Sequence, residues 1–251
     1  VTPTGRWIIS ETRLFRVSGA SGSVMYRNLG AGGSTNFTVD GSTNTDFPLT
    51  DGGIWLAQRR MLAFESGKIY YSNSLDDLTW NRSTNYAILG PDQSFFIRAL
   101  LEWRFNQVLV FTDNDVFLLD TSNPSPSLWQ AKKLIYNCGT LVRTMVARVG
   151  DDIYFVTNKG FFSLNDSMRH GRLVHLGEIV STDFNAILLT PNEDGDKNGY
   201  MAVLKSVIYM AVGNLTYLLT YSTLTQRWSR INLPANHFVR GFANRLRDSN
   251  N

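Results

Sequence analysis

The sequence predicts an all-β protein, a β-propeller with four-stranded antiparallel blades, about four to six in number and some of them incomplete. Three observations predict this fold. Short apolar or alternating segments end at Gly, Asn, Asp or Ser; hairpins of one design recur; and tryptophans follow several of them at long intervals. Helical periodicity is almost absent.

A first unit is indicated near the start of the chain by apolar segments at 7–9, 14–17 and 24–26. Residues 28–53 are rich in Gly, Ser, Thr and Asn and are predicted to form a long loop or an irregular insertion at a blade edge. Gly30, Gly32 and Gly33 lie in this segment without the Gly-Lys-Ser/Thr ending of a phosphate-binding loop. We therefore expect no nucleotide site there.

Four hairpins are then predicted, and the centres of their second strands are 47, 44 and 57 residues apart. The paired segments are 61–64 with 69–72, 108–111 with 116–119, 153–156 with 161–164, and 207–212 with 217–221. A further unit is predicted to begin near 238–242.

The tryptophans after the hairpins predict how the blades pack. Trp80 and Trp129 are 49 residues apart, and Trp228 follows after 99, almost two such intervals. A single four-stranded sheet cannot bury both faces alone, so propeller blades stack on one another. We expect these tryptophans to fill the space between adjacent blades rather than to form ligand platforms.

One β-propeller domain is predicted over 1–251. Because Val1 is not a methionine and Asn251 ends an incomplete pattern, we expect either a processed chain or part of a longer protein. Cys138, the only cysteine, excludes an intrachain disulfide and is expected to be buried. A short helix is predicted at 181–188, leading into an acidic loop at 192–199.

The charge pattern does not indicate nucleic-acid recognition. The net charge is +3, and the basic residues are scattered, apart from denser stretches at 169–172 and 240–247 that we expect to be solvated. No apolar run approaches the roughly 18 residues of a membrane-spanning helix. We expect no membrane span.

No catalytic residue, cofactor or firm metal site is predicted. Asp194 and Asp196 offer oxygens to a calcium ion, but their loop lacks the spacing and terminal Glu of an EF-hand, so an ordinary solvated loop is favoured. The three histidines do not have metal-ligand spacing. The protein is predicted not to be an enzyme.

The segment 72–80 resembles the Asp-box of sialidase-like propellers, in which Ser, Asp, Thr and Trp stabilise a turn of the blade. It lacks the internal glycine of that motif and is one residue short. The resemblance implies a structural role, because the box is structural in those families. The predicted structural blade motif combines residues in and next to this segment with the two later tryptophans of the repeat. Its members are Tyr71, Ser74, Asp76, Thr79, Trp80, Trp129 and Trp228.

The order of segments from 54 to 164 resembles the propeller of tail nozzle proteins of short-tailed bacteriophages, also called tail tubular or stabilisation proteins. The resemblance rests on Arg60 to Phe64, Ile69 to Ser74, Asp76 to Trp80, Leu109 to Asp113 with Val116 to Leu119, Asn137-Cys138-Gly139, and Val149 to Gly160. It is looser outside this range.

This resemblance implies a virion structural protein that is assembled in the host cytoplasm. It implies a ring of copies, commonly a hexamer, below the portal and its adaptor, with tail fibres or spikes as further partners. DNA would pass through the lumen without sequence-specific binding. Nozzle proteins are usually much longer than this chain.

Two other functions stay open. A receptor- or glycan-binding propeller would use exposed aromatic side chains, for which we expect Trp55, Trp103 and Tyr136. A sialidase-like glycoside hydrolase would need suitably separated carboxylates, an arginine triad and a Tyr-Glu pair, which the sequence does not locate.

Overall fold

The structure is a computed structural model that describes residues 6–17, 24–29, 38–39, 46–48, 50, 52–56, 58–65, 67–90, 95–140, 145–157, 160–170, 199–212 and 216–234. In these residues, four antiparallel sheets have four strands and one has three. The predicted all-β propeller fold is confirmed.

The sheets follow chain order, so that each blade is a simple meander. The strands are β1 (Arg6–Ile9), β2 (Arg13–Val17), β3 (Met25–Asn28), β4 (Thr38–Val39), β5 (Gly53–Trp55), β6 (Met61–Glu65), β7 (Lys68–Tyr71), β8 (Tyr86–Ile88), β9 (Ile97–Arg104), β10 (Gln107–Thr112), β11 (Val116–Asp120), β12 (Gln130–Ile135), β13 (Val146–Val149), β14 (Asp152–Thr157), β15 (Gly160–Ser163), β16 (Gly199–Leu204), β17 (Val207–Val212), β18 (Tyr217–Ser222) and β19 (Arg227–Asn232). A 3-10 helix spans Pro126–Leu128, and helix α1 spans Leu164–His170.

The chain divides into two compact units, Val1–Gly139 and Thr140–Asn251. The first unit contains blade 1 (β1–β4), blade 2 (β5–β8) and blade 3 (β9–β12). The second contains blade 4 (β13–β15) and blade 5 (β16–β19). Within each unit the first strands of neighbouring blades contact one another: β1 with β5, β5 with β9, and β13 with β16.

All four predicted hairpins are present. Phe64 pairs with Ile69, Phe111 with Val116 and Thr157 with Gly160, while β17 pairs with β18 over Val207–Met210. The segments expected for the first unit form β1, β2 and β3. Turn residues and alternating apolar positions set the register of these pairs, and both are local features of the sequence.

The end of the third hairpin differs from the prediction. Leu164, expected as the last residue of a strand, begins helix α1. The hydroxyl of Ser163 accepts the Asp166 N–H at 3.1 Å, and the Asp152 carboxylate accepts the Asn165 N–H at 3.0 Å. These two acceptors satisfy amides of the first helical turn, which explains why the chain turns into a helix here.

Three apolar clusters of the described residues lie between neighbouring sheets, as expected for stacked blades. One joins blades 1 and 2 and includes Phe15, Met61 and Trp80. A second joins blades 2 and 3 and includes Leu62 and Val110. In the second unit, a third joins blades 4 and 5 and includes Phe161, Met210 and Tyr221.

Segment 28–53 contains more than a loop. It supplies β4, which pairs with β3 as the outer strand of blade 1, and Phe47 is buried. The Phe64 N–H donates to the Thr50 hydroxyl at 3.1 Å, which attaches the segment to blade 2. Residues 30–37 and 40–45 lie outside the described residues.

Several predictions also fall outside the described residues: the helix at 181–188, the acidic loop with Asp194 and Asp196, and the unit near 238–242. Cys138 is buried, as expected. In the part of the chain that is described, none of the helices has the length and apolar character needed to cross a membrane.

Candidate functional site

The connection between β7 and β8 is a compact turn organised by Asp76. One carboxylate oxygen, Oδ1, accepts the N–H groups of Leu78 (2.9 Å) and Thr79 (3.2 Å), and Oδ2 accepts the Thr79 hydroxyl at 2.5 Å. Partial burial alone would raise the pKa of Asp76, but these hydrogen bonds and the charge of Arg13 lower it below its usual value. The turn therefore favours the ionised carboxylate.

The predicted blade motif did not include the next residue, Asp77. Its carboxylate is buried and accepts hydrogen bonds from the Ser10 hydroxyl and the Arg13 guanidinium, both near the β1–β2 turn of blade 1. The backbone carbonyl of Asp77 accepts the Trp80 indole N–H at 3.0 Å. Asp77 thus joins two blades and positions the tryptophan, while Asp76 stabilises the turn locally.

The aromatic members of the motif lie at blade boundaries. Trp80 is 5% exposed, and its ring centroid is 4.9 Å from that of Phe47. Tyr71 of blade 2 contacts Trp129 of blade 3, with centroids 5.4 Å apart. Burial raises the pKa of Tyr71, although the neighbouring Arg60 acts against this shift. Ser74, the remaining member, is exposed.

Trp129 immediately precedes β12 and Trp228 lies on β19, so both are near the start of the last strand of their blade. The Trp129 indole N–H donates to the Asn123 carbonyl at 2.8 Å, much as Trp80 donates to Asp77. Trp228 is half-buried, and its ring lies 5.2 Å from Phe161 of the neighbouring blade. Each tryptophan lies at the boundary with another blade, which is the position expected of a packing residue.

Three large apolar side chains are exposed at one end of blades 2 and 3. Leu75 is 68% exposed, Phe105 73% and Leu128 60%. All three lie at the blade end that carries the turn between the first and second strands and the connection between the third and fourth. We call these three residues the tip surface.

Hydrogen bonds connect the loops that carry the residues of the tip surface. The Leu75 N–H donates to the Arg59 carbonyl at 2.8 Å, and Gln58 Nε2 donates to the Thr121 carbonyl at 2.6 Å. The Thr121 N–H in turn donates to the Asn106 carbonyl at 2.9 Å. The loops carrying Leu75, Phe105 and Leu128 therefore form one connected, well-supported surface.

The second unit repeats this pattern by itself. Leu204 is 59% exposed and Leu224 80%, and both lie at the corresponding end of blade 5. The Thr223 N–H donates to the Ser206 carbonyl at 2.9 Å, as Thr121 does to Asn106 in blade 3. Exposed apolar side chains thus occur at the corresponding ends of blades 2, 3 and 5.

The prediction of exposed aromatics was partly wrong. Trp103 is only 3% exposed, because its position in the alternation of β9 faces the protein interior, and Trp55 is half-buried against the cluster between blades 1 and 2. Tyr136 is 66% exposed, as expected.

The described residues contain no group of three or more His, Cys, Asp or Glu side chains arranged to hold a metal ion. In the second unit, burial and then the neighbouring Asp152 raise the pKa of Tyr154, so its phenol stays neutral. A tyrosine nucleophile needs the opposite shift.

No family model and no curated protein matches the sequence. The fold is similar to solved propellers. The Myceliophteria thermophila Cps50 (Swd1) β-propeller domain aligns with a TM-score of 0.52 at 12% identity, over 88% of this chain and 64% of that one. A chain named as an exported protein of Bacteroides fragilis aligns with a TM-score of 0.53 at 13% identity, over 92% and 72%.

A third similar structure is the extracellular domain of a one-component system of B. thetaiotaomicron, with a TM-score of 0.51 at 13% identity, over 90% of this chain and 27% of that one. This chain thus spans less than two thirds of the Cps50 domain and about a quarter of the B. thetaiotaomicron chain. At such identities the likeness establishes the propeller fold alone, because one fold supports many functions.

Proposed function

We propose that the protein is a structural subunit of the tail nozzle ring of a short-tailed bacteriophage, built from copies of the propeller. In this proposal the ring, a hexamer, joins the portal and adaptor, surrounds the DNA exit channel and supports tail fibres or spikes. DNA passes through the lumen without sequence-specific contacts. The proposal rests on the sequence resemblance together with one structural observation, the tip surface.

The tip surface supports an assembly role. Single exposed apolar side chains are common on proteins, but Leu75, Phe105 and Leu128 lie on loops connected by hydrogen bonds, at the same end of neighbouring blades. The loops are already organised, so little conformational entropy is lost when another surface covers them. We assign this surface to the adjacent subunit of the ring.

A ring requires a heterologous interface, in which the tip surface contacts a different surface of the next copy and the rotation closes. The charged groups near the tips are compatible with such packing. Arg59 and Glu11 form an exposed ion pair with an N–O distance of 3.0 Å, so neither charge has to be buried alone.

The test is the oligomeric state of the wild-type chain and of a triple variant, L75S/F105S/L128S, measured by sedimentation velocity over a wide concentration range. The wild type is expected to form a discrete ring of about six copies, visible by negative-stain electron microscopy. The triple variant is expected to remain monomeric while keeping the β circular-dichroism spectrum.

The matched control is Phe96→Ser. Phe96 is 57% exposed and immediately precedes β9, so it lies at the opposite end of the strand that leads to Phe105. This variant should assemble like the wild type. A wild-type chain that stays monomeric at every concentration would contradict the proposal, as would equal loss of assembly in the control.

A further inference from the structure

At the end of blade 3 opposite the tip surface, four side chains surround one ammonium group. Lys133 lies on β12, and its Nζ is 5.2, 5.3 and 5.1 Å from the ring centroids of Phe95, Phe117 and Tyr136. Asp115 Oδ2 lies 2.9 Å from the same nitrogen. We call Phe95, Phe117, Tyr136 and Asp115 the aromatic cage.

The cage is held by contacts that do not involve Lys133. The Asn137 N–H donates to Asp115 Oδ1 at 3.0 Å, and the Asp115 side chain is 8% exposed. Phe95 and Phe117 pack edge to face, with centroids 5.0 Å apart and ring planes at 69°. These contacts position the carboxylate and two rings independently of the cation.

The chemistry of the cage is that of an ammonium site. The faces of aromatic rings carry negative charge density that attracts a cation, and a carboxylate adds a charge-assisted hydrogen bond. The cage is also reachable from solvent, because the Lys133 side chain is 27% exposed and Tyr136 is 66% exposed.

We propose that the aromatic cage is a binding site for a primary alkylammonium group, the chemistry of a lysine side chain. Lys133 occupies this site from within the chain, and a second such group enters when Lys133 is removed. A primary ammonium is preferred over a quaternary one, because Asp115 Oδ2 accepts a hydrogen bond and a tetramethylammonium ion has no N–H to donate.

In the wild-type protein Lys133 excludes a competing ligand. A tethered group acts at a high effective concentration, whereas a free ion must lose its translational freedom on binding. A free alkylammonium ion is therefore expected to bind the vacated cage with a dissociation constant on the order of 1 to 10 mM.

The experiment uses the Lys133→Ala variant and n-butylammonium chloride, at constant ionic strength maintained with sodium chloride. The melting temperature of the variant is expected to rise with ligand concentration and to saturate. The wild type should show no saturable rise. Lys132→Ala is the matched control, because Lys132 is the exposed neighbour on the same strand and lies outside the cage; it should behave like the wild type.

Two further measurements test the separate contributions of Tyr136 and Asp115 to ammonium binding. Adding Tyr136→Ala to Lys133→Ala should weaken n-butylammonium binding about fivefold, as expected for one exposed cation–π contact. Tetramethylammonium should bind the Lys133→Ala variant more weakly than n-butylammonium does. Tetramethylammonium binding as tightly or more tightly would overturn the assignment of Asp115 as the anchor.

A folded Lys133→Ala variant without saturable n-butylammonium binding would overturn the proposal, and so would a wild type that responds equally. If the alanine variant does not fold, Lys133→Thr replaces it, because a β-branched residue suits a strand. If neither folds, recovery of the β spectrum on adding n-butylammonium supports the site, and no recovery overturns it.

Discussion

Asp77 and Arg13, which are 64 positions apart in the sequence, form an ion pair that joins blade 2 to blade 1. The Asp77 side chain is 3% exposed and the Arg13 side chain 26%, so the pair is largely shielded from water. The Ser10 hydroxyl donates to the same carboxylate, which gives the buried charge a second partner.

Removing this carboxylate should destabilise the first unit. Asp77→Ala leaves Arg13 without its counter-charge in a partly buried place, and we expect a loss of about 2 to 3 kcal/mol in the free energy of unfolding, measured with urea. Glu11→Ala breaks an exposed pair with Arg59 and should cost less than about 1 kcal/mol. Equal losses in the two variants would contradict this interpretation.

Gly139 should not tolerate a side chain. A Cβ at this position would lie 2.2 Å from the Thr112 carbonyl oxygen and 2.4 Å from the Asn114 nitrogen, both backbone atoms. We expect Gly139→Ala to lower the free energy of unfolding by about 3 kcal/mol, because the β10–β11 turn has to move.

Gly150 is the matched control for this effect. It has a positive φ of 62°, but nothing lies within 4 Å of the position of its Cβ. Gly150→Ala should therefore cost only the backbone strain, about 1 kcal/mol, and Gly150→Asn less. Urea unfolding of both variants separates the two causes, and a larger loss at Gly150 would refute the steric explanation.

Trp129 should contribute strongly to the packing of blade 3 on blade 2. Trp129→Ala removes the contact with Tyr71 and the indole hydrogen bond to Asn123, with an expected loss of about 3 to 5 kcal/mol. Gln130→Ala, next in the chain but exposed and outside the tip surface, should change stability by less than about 0.5 kcal/mol. Differential scanning calorimetry of the two variants tests the distinction.

Asp76 should make stability depend on pH. Its pKa in the folded protein is lowered, so its contribution to stability is present above the unfolded value of about 4 and is lost as the pH falls through the folded value. The difference in unfolding free energy between pH 6 and pH 3 is expected to be smaller in Asp76→Asn than in the wild type.

Thr79→Ala provides the companion measurement for Asp76. It removes the side-chain hydrogen bond that contributes to lowering the pKa of Asp76. An NMR titration should then give a higher pKa for Asp76 in this variant. An unchanged pKa would show that the backbone amides of Leu78 and Thr79 are sufficient.

The blade boundaries and the candidate sites differ in how far the sequence could predict them. The hairpin of β10 and β11 could be predicted from a local turn and alternating apolar residues. The packing of Trp129 between blades could be predicted from the spacing of the repeat. Trp103 was expected to be exposed and is buried, because residues outside its own strand determine which side of β9 is covered. Helix α1 was not predicted because an amide of its first turn donates to Asp152, which lies on β14 and is 13 positions away in the sequence.

The sequence by itself determined the fold class, the four hairpins and the repeat of tryptophans, because these depend on residues close together in the chain. Only the tertiary structure decided that Asp77 meets Arg13, that the tips of blades 2 and 3 form one surface, and that Lys133 enters the aromatic cage. The physical reason is that these contacts join different strands, loops or blades. Their partners are chosen by how the sheets stack and by how charge and apolar area are buried, which no local pattern of residues records.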